Sequence, residues 1–129
     1  MEKVEKFFRQ RGELIETYKF DKFFSENDFE EIIRLIEGYN VKITGIRISN
    51  SLDQPEHFYR SFDSLDAFRR YVKDDYYIDD FGVQCAYNDM RFALTFDFSK
   101  KMLVTFKYSN INLDNLLEDL EGLTKKKVK

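Results

Sequence analysis

The chain has 129 residues, 43% of them hydrophobic and 35% charged, and a net charge of −3 at pH 7. That length suits one domain around one core, and that apolar content excludes global disorder. The charge is uneven. KKKVK at 125–129 holds four of the 21 basic groups, so 17 face 24 acidic ones over residues 1–124, a balance of −7. An acidic body repels phosphate backbones, which argues against specific nucleic-acid binding and favours a basic protein partner.

In chain order, Val4, Phe7, Phe8, Leu14, Ile15 and Tyr18 are spaced for one helical face. They predict a helix over about 2–18, broken near Gly12, with a strand over 13–20 as the competing reading. The next segment reads as a helix capped by Ser25, with Glu26 and Asp28 in its first turn. Phe29, Ile32, Ile33 and Ile36 form its apolar stripe, and Gly38 stops it. VKITGIRIS at 41–49 then alternates Val41 with Ile43 and shifts phase to Ile46 and Ile48, which predicts a strand with a bulge at Gly45. Asn50 to Pro55 is a polar turn, and HFYRSF at 57–62 is a second strand. Asp63 or Ser64 caps a short helix with Leu65, Phe68 and Val72 inward.

Residues 83–108 carry sustained period-2 alternation. Val83, Cys85 and Tyr87 alternate, Asn88-Asp89 is a two-residue turn, and Met90, Phe92, Leu94, Phe96 and Phe98 follow. After a turn at Ser99-Lys100-Lys101, Met102, Val104, Phe106 and Tyr108 complete an antiparallel meander. Phe92, Leu94 or Phe96, and Val104 are expected to face helices. Asn112 caps a last helix with Leu113, Leu116, Leu117, Leu120 and Leu123 inward. The sum is a single α+β domain over 1–124 in the order α-α-β-β-α-β-β-β-α. It has an antiparallel sheet of four to five strands with helices on one face, and a disordered basic tail at 125–129.

Several chemistries lack their residues. His57 is the one histidine and Cys85 the one cysteine. Metal clusters built on histidine, and Ser–His–Asp or Cys–His devices, would all depend on His57. No intramolecular disulfide can form, and Cys85 reads as a buried small hydrophobe. No GxG occurs, so no nucleotide loop is expected, nor any cofactor. No lysine has an acidic residue two positions before it, which counts against the commonest metal-dependent nuclease pattern. The segment MEKVEKFFRQRGELIE lacks the apolar run of a signal peptide, and no stretch approaches the ~20 apolar residues that span a bilayer. A cytoplasmic location without membrane contact is expected.

KDDYYIDDFG at 73–82 stands out. As a calcium loop it fails in both registers, because Asp79 or Asp80 takes the place of the sixth-position glycine, and Cys85 or Ala86 that of the final glutamate. No metal site is expected there. As a helix-to-strand connection it would be a solvated loop. As a recognition patch, Asp74, Asp75, Asp79 and Asp80 would steer a basic partner, and Tyr76 and Tyr77 would supply rigid contact area.

In size, acidity and helix-on-sheet pattern, the whole chain resembles bacterial toxin-neutralising immunity proteins. The resemblance implies a non-enzymatic, stoichiometric inhibitor that occludes a basic toxin or nuclease domain, and it carries no site residues over. A phage-encoded inhibitor of a host defence nuclease has the same outline. Two other classes stay open. One is an enzyme using Asp79, Asp80 and Glu56. The other is a subunit that self-associates through a sheet edge or an uncovered face bearing Arg91, Thr95, Asp97 and Lys107.

Overall fold

The computed structural model describes residues 1–8, 13–22, 29–50, 58–72 and 80–124. The order is β1 (Glu2–Phe8), β2 (Leu14–Lys19), α1 (Phe29–Glu37), β3 (Lys42–Asn50), β4 (Phe58–Phe62), α2 (Leu65–Tyr71), β5 (Asp80–Tyr87), β6 (Met90–Asp97), β7 (Met102–Lys107) and α3 (Asp114–Gly122). All seven strands form one antiparallel sheet in the order β1-β2-β7-β6-β5-β3-β4. The α+β class therefore holds. The expected four to five strands and the expected element order do not.

The correction lies at the start of the chain. The helix expected over 2–18 is a strand hairpin, β1 and β2, and the competing strand over 13–20 is the reading that matches. Local spacing misleads there because the deciding contacts are remote. β2 pairs along its whole length with β7, from Leu14 opposite Lys107 to Lys19 opposite Met102. Val4 and Phe8, read as apolar helix positions, are 46% and 68% exposed. β1 also carries a bulge, since Lys3 lies opposite Tyr18 but Glu5 lies opposite Thr17, which leaves Val4 as the extra residue.

At most turns and caps local signals and structure agree. The phase shift in β3 is a bulge between Ile43 and Gly45. Ser64 caps α2, its Oγ accepting from the Ala67 N–H at 3.1 Å. Asn112, expected as the cap of the last helix, stands one residue before its N-cap, Leu113, and its Oδ1 accepts from the Asp114 N–H at 2.9 Å. Asn88 takes φ 52 in the two-residue β5–β6 turn. Asp97 Oδ1 holds the β6–β7 turn, accepting from Ser99 Oγ and the Lys100 N–H. The expected Ser25 cap and the KKKVK tail lie outside the described residues.

Residues directly opposite in an antiparallel pair share a face. On one face Tyr18, Leu103, Phe96, Phe81 and Ile48 line up across the sheet, beside a row of Leu94, Val83 and Ile46. These side chains form one buried cluster with Ile32, Ile33 and Ile36 of α1, Phe68 of α2, and Leu116, Leu117 and Leu120 of α3. The helices thus cover this face. Phe68 packs edge-on against Phe29 and Phe62 and tilted against Phe81, which ties both helix and sheet layers together. Arg69 joins α2 to α1 through a two-pronged ion pair with Glu30.

β7 has the phase opposite to the one expected. Val104 lies opposite Thr95 and Thr17 on the other face, while Leu103 and Thr105 are fully buried beneath the helices. Lys107, expected on the uncovered face, also lies on the helix side, opposite Phe92.

Candidate functional site

The other face, which no helix covers among the described residues, offers a surface, and its pattern follows from the same register. One row reads Lys19, Met102, Asp97, Asp80 and Ser49 across β2, β7, β6, β5 and β3. The next reads Thr17, Val104, Thr95, Gly82 and Arg47, and the next Ile15, Phe106, Ala93, Gln84 and Gly45. The β2–β7 side of the face is apolar, with Ile15 and Thr17 buried and Val104 and Phe106 half-buried. The β5–β3 side is polar and hollow.

The hollow has a volume of about 450 Å³. Gly45, Gly82 and Ala93 are its floor, and Arg47, Gln84, Thr95, Ser61, Phe106 and Tyr108 stand around it. Its depth comes from small residues in strand interiors. A Cβ on Gly45 would stand 2.9 Å from Gln84 Oε1, so that glycine gives the glutamine room to lie across the sheet. Tyr108 is 49% exposed at its rim.

Of the segment expected to bind a partner, only Asp80 is among the described residues. Asp74, Asp75, Tyr76, Tyr77 and Asp79 lie outside them, as do Glu56 and His57. Asp80 opens β5, is half-buried, and accepts a hydrogen bond from Ser49 Oγ at 2.8 Å. It lies directly opposite Asp97, so two carboxylates sit side by side on the uncovered face at the start of β5.

A second charged cluster escaped the reading of the sequence. Glu16 sits on the helix side of β2 with its side chain 3% exposed. It pairs with Lys3 of β1 and with Lys107 of β7, the latter at 3.0 Å, and accepts from Tyr18 Oη at 3.2 Å. Burial pushes its carboxyl up, but the hydrogen bonds and charges of Lys3 and Lys107 outweigh that and hold it at about 2. Burial next to Glu16 also raises the Tyr18 hydroxyl. The available signal was a glutamate inside an apolar strand pattern, Leu-Ile-Glu-Thr-Tyr.

Cys85 is buried on the helix side, and burial pushes its thiol up to about 12, as suits an inert core residue. Among the described residues no group of three or more His, Cys, Asp or Glu could hold a metal ion, and no helix is long and apolar enough to cross a membrane. No protein-family model, curated protein or solved structure matches the chain.

Proposed function

We propose that the chain is a protein-binding module of the toxin-neutralising immunity type, which engages a basic partner through the uncovered face of its sheet. The observation that carries this reading is the character of that face. A shallow hollow ringed by Arg47, Phe106 and Tyr108 adjoins an apolar strip and the paired carboxylates Asp80 and Asp97. Arginine, tyrosine and phenylalanine are the residue types that anchor protein interfaces, and acidic side chains beside them speed encounter with a cationic partner.

The test is capture of a partner from the native host, followed by rate measurements at two ionic strengths. Reversing Asp97 to Lys should slow association, most at low salt. Phe106→Ala should speed dissociation by roughly thirtyfold, the effect of a ~2 kcal/mol anchor. Unchanged rates for both variants would refute the assignment of this face.

A self-associating subunit is the second reading, favoured by the half-buried apolar pair Val104 and Phe106. Solution mass as a function of concentration separates the two, since a module for a foreign partner stays at the mass of one chain.

A further inference from the structure

The hollow on the uncovered face has a chemistry of its own. Arg47 stands exposed at its edge, and no ion pair or side-chain hydrogen bond engages it among the described residues. Of the other polar groups around the hollow, Thr44, Ser61, Thr95, Gln84 and Tyr108 can donate hydrogen bonds, while Asp63 can only accept. Beside Arg47 lies Gly82, in the interior of β5. A methyl group there would meet only ordinary contacts, 3.6 Å from Arg47 Cβ and 3.7 Å from Thr95 Oγ1, and the glycine's φ is not in the left-handed region. Neither backbone nor packing requires glycine at this position, and glycine weakens a strand interior. What the missing side chain does is leave open floor next to an uncommitted guanidinium.

We propose that this hollow is a carboxylate-binding site that receives one acidic side chain, Asp or Glu, presented by the partner protein. The inference rests on the reading of this face as the interface and adds the chemistry of its anchor. A guanidinium fork matches a carboxylate in two parallel hydrogen bonds, and the surrounding hydroxyl and amide groups satisfy the remaining lone pairs. The charge balance selects a monoanion. Asp63 lines the same hollow, and Asp80 and Asp97 lie in the next row of the sheet. Three carboxylates around one guanidinium leave the local charge negative, so repulsion opposes a phosphate dianion about twice as strongly as a single carboxylate, and the Arg47 fork must outweigh it. A partner that is basic overall would thus carry one acidic residue as its register mark.

The experiment needs no partner. The 15N-labelled protein is titrated with the capped tripeptide Val-Glu-Val, with its Val-Gln-Val analogue, and with methyl phosphate, while amide and arginine Nε–H signals are followed. The glutamate peptide should bind with a dissociation constant on the order of millimolar. It should shift Arg47 Nε–H and the amides of Gly45, Gly82 and Thr95. The glutamine peptide should bind at least about tenfold more weakly. Arg47→Gln, a substitution at an exposed site, should abolish the shifts. Gly82→Leu, which fills the floor, should do the same; if that variant does not fold, Arg47→Gln alone decides. Equal binding of the two peptides, or shifts that survive Arg47→Gln, would overturn the proposal. So would tighter binding of methyl phosphate, which would make the hollow a phosphate site. Absence of any response sinks the carboxylate site and leaves the interface itself to the partner measurements with Asp97→Lys and Phe106→Ala.

Discussion

Replacing Glu16 with Gln removes the charge on which Lys3 and Lys107 converge. A carboxylate held at about 2 in the fold, against its ordinary 4.5 in the unfolded chain, stabilises the fold by about 3 kcal/mol at neutral pH. The folded value is the lower one, so this contribution is complete above the unfolded value and is lost as pH falls from 4.5 towards 2. The substitution also strands Lys107, whose side chain is only 12% exposed, while Lys3 at 45% stays hydrated. Breaking one partner out of a buried pair costs about 3–5 kcal/mol, and the hydration of Lys3 places this site at the lower end. The assay is urea unfolding of parent and Glu16→Gln at neutral pH and at about pH 3. The variant should be about 3 kcal/mol less stable at neutral pH. On acidification the parent should lose about 2 kcal/mol more than the variant, because at pH 3 the carboxyl is protonated when unfolded but still mostly ionised when folded. Other carboxylates contribute equally to both proteins and cancel in the difference. Equal acid losses would refute the claim that Glu16 is an ionised, paired group inside the fold.

Two further outcomes follow from the core. Phe96→Ala should cost about 3–5 kcal/mol in urea unfolding, since the ring is fully buried and packs against Phe81 and Phe98; a loss below about 1 kcal/mol would mean that the β6 face is misassigned. Cys85 should resist an aromatic disulfide reagent at about pH 8 in the folded protein and react with one equivalent in urea, because its thiol is buried and pushed up to about 12; reaction at the same rate in both states would contradict that burial.

The strands that can be read from the sequence are those whose two faces differ. In β6, Phe92, Leu94 and Phe96 stand against Arg91, Ala93, Thr95 and Asp97, and only one phase makes sense. β7 offers no such contrast. Met102, Val104 and Phe106 form the more apolar set, yet the fold buries Leu103 and Thr105, because Thr105 Oγ1 donates to the Glu16 carbonyl and Lys107 answers the Glu16 carboxylate. Both partners of that decision lie on β2, some 90 residues away. The same distance hides the hairpin at the start of the chain, where the 4-7-8 spacing of Val4, Phe7 and Phe8 mimics a helix. Of the expected recognition segment, the structure brings Asp80 to the uncovered face beside Asp97. Arg47, Gln84 and Tyr108 carry no local motif, and only strand pairing gathers them around two glycines.

The bulge at Val4 bears on how the molecule behaves at high concentration. β1 is an edge strand, and its sequence EKVEK would match itself if two copies met antiparallel about Val4, each Glu opposite a Lys. A regular strand would place those matched residues on common faces. The bulge prevents it. Glu2 and Glu5 lie on the uncovered side, opposite Lys19 and Thr17, while Lys3 and Lys6 lie on the helix side, opposite Tyr18 and Glu16. No alignment of two such edges that keeps faces together can now set a Glu against a Lys, and those centred on Lys3 or Glu5 set Glu2 against Glu5 or Lys3 against Lys6. A single surplus residue thus turns a self-adhesive string into a self-repelling one, and guards a sheet with one bare face against growing into a fibre.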